Sequence, residues 1–187
     1  AGSAIESDAR GTAEITGNLR AELGASASEN LYESAAGTGA LSASGTVSVI
    51  RLGLSGKASF TGTVTAESGA AAEVTLTDTG VIEGSGTGSS LVFQSSGAGS
   101  MLDLDIGTGT AATGDLKVSD GAEAALRISG TWIGAALLDT GTAKVSLSGG
   151  LWQMTGDSAI TTLVANKSRI AFPAAGSGAF QGTTLTV

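Results

Sequence analysis

The chain has 187 residues, of which 30 are Gly and one is Pro; 41% are hydrophobic, 14% charged and 4% aromatic. Nine Lys and Arg stand against 17 Asp and Glu, a net charge of −8, and the cations are scattered singly, so nucleic acid is excluded as a partner for want of the clustered positive surface that phosphates require. The apolar content rules against disorder, and without Cys or His no disulfide, structural zinc site or Ser–His–Asp arrangement can be built; no cofactor is expected.

With so few aromatics the core must come from Val, Leu, Ile and Ala, which suit thin, regular layers. No run of 18 or more apolar residues spans a membrane and no signal peptide opens the chain. Ala1 falls mid-pattern and Val187 mid-strand, which reads as a piece cut from a longer protein. Absence of Cys fits a chain that crosses an oxidising compartment unfolded, and equally many cytosolic chains.

In chain order, the first distinctive segment is Asn18 to Ala36, which carries helix formers and extra charge. Ser28 could cap a short helix over Glu29 to Ala35, although an irregular coil with a longer loop is the preferred reading. Short alternating runs follow: Thr46–Ile50, Glu73–Thr77, Leu91–Gln94, Met101–Ile106, Leu116–Val118, Ala125–Ile128 and Lys144–Leu147. Period-two alternation turns one side chain inward and the next outward. Between them stand Gly84-Ser85-Gly86-Thr87-Gly88, Gly97-Ala98-Gly99, Gly107-Thr108-Gly109, Asp120-Gly121 and Gly149-Gly150, residues that accept the positive φ of tight turns. About 18 short strands at ~8–12-residue spacing permit a sandwich, a barrel or a solenoid. Asn-Gly, the strongest hairpin signal, never occurs and Asp-Gly occurs once. The unchanged alternation suits segments that stack on their equivalents one turn earlier. A β-helix and a β-sandwich both stand on this pattern. As a helix the chain would make about eight coils of three strands, each coil of ~20–25 residues, with a length of about 40 Å.

Asp103 and Asp105 lie on one face of a strand, followed by Asp115 and Asp120. Paired carboxylates could hold Ca²⁺ or perform acid–base chemistry, as in β-helical glycosidases and lyases, but only Lys117 lies close in sequence, and solvated outward Asp is the more usual state. Gly107-Thr108-Gly109 with Gly114 lacks the helix a nucleotide loop needs. Thr61/Thr63/Thr65 and Thr75/Thr77 do not recur at one coil length, against an ice-binding ladder. Trp132 reads as inward, and Tyr32 as surface packing. Asn166-Lys167-Ser168 matches the glycosylation sequon only formally.

The most specific stretch is Leu151-Trp152-Gln153-Met154-Thr155-Gly156-Asp157-Ser158-Ala159-Ile160-Thr161-Thr162-Leu163, then Ala165-Asn166-Lys167-Ser168-Arg169-Ile170-Ala171-Phe172, then Phe180-Gln181-Gly182-Thr183-Thr184-Leu185-Thr186-Val187. Its order and spacing resemble the C-terminal end of pertactin-like autotransporter passengers over about 37 residues. It departs from them by Lys167 inserted in the turn and by Met154 where Leu is commoner, a volume-conserving change. The resemblance implies an all-β, right-handed parallel β-helix with a stem over 1–150 and a folding cap, the autochaperone region, over 151–187. The cap core would be Trp152, Met154, Ile160, Leu163, Ile170, Phe172, Phe180, Leu185 and Val187. It further implies a secreted, cell-surface protein, not an enzyme, preceding its own C-terminal membrane β-barrel. Its stalk would serve adhesion, with a host surface protein, a glycan or another copy as partner. A β-helical carbohydrate-active enzyme using Asp103 and Asp105, or a β-sandwich binding module, is the alternative.

Overall fold

The alternation of small polar and aliphatic residues becomes twenty β-strands in the computed structural model, with no helix among the described residues. These residues are 18–23, 27–32, 36–46, 49–84, 91–173 and 184–187, those before Ala40 as backbone only. The strands are β1 (Asn18–Leu23), β2 (Ala27–Tyr32), β3 (Ala36–Ser44), β4 (Val49–Ser55), β5 (Ser59–Glu67), β6 (Ala71–Leu76) and β7 (Val81–Glu83). Next come β8 (Leu91–Ser96), β9 (Met101–Ile106), β10 (Ala111–Thr113), β11 (Asp115–Ser119), β12 (Ala122–Ile128), β13 (Thr131–Ile133) and β14 (Ala136–Leu138). The last are β15 (Gly141–Ser148), β16 (Leu151–Gln153), β17 (Ser158–Ala159), β18 (Thr162–Asn166), β19 (Arg169–Ala171) and β20 (Leu185–Thr186).

Every pairing among these strands is parallel, between segments one turn apart. A sandwich built from hairpins is thereby excluded, and the fold is a parallel β-solenoid. One wall is a seven-stranded sheet in the order β18-β15-β12-β9-β6-β4-β2, which makes about six turns. The opposite wall is an eleven-stranded sheet. Its nine-residue strand β5 pairs through Ser59–Thr61 with β7 and through Val64–Glu67 with β8. The early turns therefore have two strands each, and three-stranded coils begin at β7. About eight three-stranded coils were expected from sequence; the described residues contain about six turns.

Glycine sets this change of shape. Gly39 pairs with Gly62, and the ladder continues through Gly84, whose N–H donates to Thr113, then Gly114, donating to Ile133, and Gly134, donating to Gln153. At this corner the backbone of one coil lies directly on the next. A Cβ on Gly134 would land on the carbonyl oxygen of Gly114, so only Gly fits. The Asp120-Gly121 pair has φ of 56° and 78°, the backbone of a hairpin turn. Here it turns the corner between β11 and β12 instead.

Inward residues form columns. On the seven-stranded wall one runs Leu52, Val74, Leu104, Leu126, Val145, Leu163, and its neighbour runs Leu54, Leu76, Ile106, Ile128, Leu147, Ala165. Across the interior stands Phe60, Ile82, Ala112, Trp132, Trp152, Ile170. All but the terminal members are at most 2% exposed. Burying a Val, Leu or Ile side chain contributes roughly 1.5–3 kcal/mol, and repetition supplies the cohesion that so few aromatics would not.

The segment from Asn18 to Ala36 is neither a helix over Glu29–Ala35 nor an irregular coil where it is described. Ala27–Tyr32 is strand β2, paired in register with Ile50–Ser55. Rung pairing has overridden the local helix propensity, a difference of only tenths of a kcal/mol per residue. Of the seven alternating runs read from sequence, six lie on β6, β8, β9, β11, β12 and β15. Thr46–Ile50 runs two residues into β4, which extends on to Ser55.

Candidate functional site

Two places carry the residues singled out by sequence. The first is the solvent face of the seven-stranded wall. Even positions of β9 point inward, so Asp103 and Asp105 emerge side by side on the outside. One coil on, Arg127 of β12 stands opposite Asp105 in register. Its Nη2 lies 2.5 Å from Asp103 Oδ1 and its Nε 3.5 Å from Asp105 Oδ2. The hydrogen bond that Arg127 donates to Asp103, opposed by partial burial and helped by the charges of both acids, holds the Arg127 pKa above its ordinary value. One coil earlier, Arg51 Nε meets Glu73 Oε2 at 2.7 Å.

The two aspartates, read from sequence with only Lys117 in reach, are thus bridged by a guanidinium 24 and 22 residues further along the chain. Lys117 sits on β11, in the other wall. The missing signal was coil length: Asp105 and Arg127 become neighbours only once a 22-residue repeat is imposed. No group of three or more acidic residues is placed to hold a metal ion among the described residues.

The second place is the tail. Trp152, Met154 and Ile160 are buried, at 0%, 1% and 3% exposure. Trp152 stacks on Trp132, ring centres 4.8 Å apart and planes 17° off parallel. The two indole N–H groups donate to the carbonyls of Gly114 and Gly134, each at 2.9 Å. Leu163, Ile170 and Leu185 are partly buried against the core, whereas Phe172 and Val187 are 53% and 65% exposed. Phe180 lies outside the described residues. Among the described residues β18, β19 and β20 each pair on one side only, so these inward-phase residues are covered by a neighbouring rung on one side.

Polar residues of the tail, together with Asp115 of β11, fasten it. Buried Asp115 accepts from the Ala135 N–H at 2.8 Å and from the Thr155 hydroxyl at 3.2 Å, and so ties together three successive coils. Ser158 Oγ accepts from the Ala136 N–H at 3.0 Å. Asp157 takes both the N–H and the hydroxyl of Thr184, at 2.8 and 3.2 Å, and pins β20 to the tail. The Thr-Gly-Asp-Ser sequence is therefore a set of clasps between coils.

No family model, no curated protein and no solved structure matches this chain.

Proposed function

We propose that the chain is a stalk segment of a secreted bacterial surface protein of the pertactin-like autotransporter kind. Its outward sheet faces would serve adhesion to a host protein, a glycan or another copy, and its tail would promote folding of the coils before it. The observation that carries this reading is the unbroken parallel stack. About six turns share one apolar interior, so the outer residues are left to contact partners. The tail contributes the heaviest packing, Trp152 on Trp132, together with the Asp115, Asp157 and Ser158 clasps. It is the kind of layer on which coils poor in large side chains can build, because a solenoid coil needs a packed neighbour.

We assign the chain no catalytic role, since Asp103 and Asp105 already face Arg127 on an open sheet. The test is to place the chain upstream of an outer-membrane translocator barrel and follow its arrival at the cell surface by external protease and antibody. Surface exposure of a protease-resistant core, reduced by Trp152→Ala, is the expected result. Folded protein retained in the periplasm would overturn the reading. Glycan turnover abolished by Asp103→Asn would replace it with the enzymatic one.

A further inference from the structure

We propose that the outer face of the seven-stranded wall binds the same face of a second copy. The two solenoids would lie antiparallel about a two-fold axis that runs along the strands between β9 and β12. This deepens the proposed surface role by making another copy the partner.

The argument is the order of charges along the stack. One outward column reads Arg51, Glu73, Asp103, Ala125, Lys144, Thr162; the next reads Gly53, Thr75, Asp105, Arg127, Ser146, Val164. A third contains Ala71, Met101, Glu123 and Thr142. Turning a copy about a dyad parallel to the strands keeps each residue in its column and exchanges rungs: β9 with β12, β6 with β15, β4 with β18. Asp105 then faces Arg127 of the second copy, Glu73 faces its Lys144, and Arg51 faces its Thr162. Thr75 meets Ser146, Met101 meets Glu123, and Gly53 meets Val164. No like charges oppose one another, and each attractive pair occurs twice, as an isologous interface requires.

Neighbouring registers do not share this property. With the dyad on β9, Asp103 and Asp105 face their own images and Arg51 meets Lys144. With the dyad on β12, Arg127 meets itself. Between β6 and β9, Glu73 opposes Asp103. Between β12 and β15 the charges meet only neutral residues. A dyad between β4 and β6 also opposes no like charges, but it matches only Arg51 with Glu73 and overlaps only the rungs β2, β4, β6 and β9. The order of signs therefore favours the dyad between β9 and β12, which matches two different pairs over six rungs.

Two further observations agree. Lys144 is exposed and has no ion pair among the described residues; the proposed alignment gives it one. The whole chain carries −8, so copies repel in general. These columns hold Arg51, Arg127 and Lys144 against Glu73, Asp103, Asp105 and Glu123, which is nearly neutral. The contact would also cover Val164 and Met101, 56% and 43% exposed.

Six rungs ~4.8 Å apart and about five residues of ~3.3 Å give a face of roughly 500 Å² per copy. That is below the ~800 Å² per partner of a standard stable complex. The association is therefore weak and concentration-dependent, suited to a surface where anchored copies meet at high effective concentration.

Sedimentation velocity of the purified 187-residue chain over a concentration series tests this. The expected result is reversible dimerisation that weakens as salt is raised. Lys144→Glu, which sets two acidic pairs face to face, should weaken it at least tenfold. Glu73→Lys combined with Lys144→Glu should bring it back to within about threefold of the original. A monomer at every concentration, or a double variant no better than Lys144→Glu, overturns the proposal. Circular dichroism of each variant establishes that the fold is retained. Failure of this assay leaves the surface-stalk reading standing, and failure of surface display leaves the dimer standing.

Discussion

Replacing Trp152 separates the buried part of the tail from its exposed rim. The indole is fully buried, stacked on Trp132 at 4.8 Å, and its Nε1 donates to Gly134 at 2.9 Å. Truncation to Ala removes the largest side chain of its layer, at a cost of ~3–5 kcal/mol for a large aromatic in a core. That figure is a large share of the ~5–15 kcal/mol that stabilises an ordinary domain. Trp152→Phe keeps a ring over Trp132 but leaves the Gly134 carbonyl unpaired, which costs about 1–3 kcal/mol. Phe172→Ala, at a site 53% exposed, should cost less than about 1 kcal/mol, in the range of surface changes. Urea unfolding followed by circular dichroism, with fluorescence of the remaining Trp132 as a local probe, measures all three. Near-equal losses for Trp152→Ala and Phe172→Ala would refute the reasoning, because stability would then not follow burial within the tail.

Ser95 Oγ is fully buried and has no hydrogen-bond partner among the described residues, in a column between Ala66 and Val118. Ser95→Ala should therefore raise stability by about 1 kcal/mol, read as a higher urea midpoint; a loss would count against the unpaired hydroxyl. Gly134→Ala should destabilise by more than about 4 kcal/mol or prevent folding, since its methyl group meets the Gly114 carbonyl, and wild-type stability in this variant would disprove the corner packing. The Arg127 pKa is raised, so its contribution is fully present below the ordinary arginine value and is lost only as pH rises through a still higher one. The stability difference between wild type and Arg127→Gln should be flat from neutral to moderately alkaline pH, and a midpoint in that range would overturn the assignment.

The strands were legible because a half-buried strand writes its burial into the chain at period two. Met101 to Ile106 alternates exposed and buried without a fault, and nearly every run read from sequence lies on a strand. The repeat was less legible, because its length is not constant. Rung partners are 23 residues apart at Ala27 and Ile50, 22 at Val49 and Ala71, 30 at Ala71 and Met101, and 18 at Lys144 and Thr162. The clearest marker of the coils was the glycine series 39, 62, 84, 114 and 134, hidden among 30 glycines because turn glycines and corner glycines look alike in sequence. The ion pairs on the outer face were invisible for the same reason. Arg127 becomes the partner of Asp103 only after the register is known.

The same geometry explains why function in such a chain is hard to read from its fold. In a solenoid each coil is held by the coils above and below it through inward columns. An outward residue such as Glu73 or Lys144 then contributes little to cohesion, because exposed ion pairs are worth ~0–1 kcal/mol. Selection can therefore change the outer columns without disturbing the stack, and whatever specificity they have must lie in the order of residues along the axis. Successive rungs at ~4.8 Å spacing convert that order into a linear pattern of charge, which the proposed second copy, having the same pitch, would meet rung by rung. The regular interior thus supplies a ruler, and the outer face supplies marks that a second ruler can meet in register.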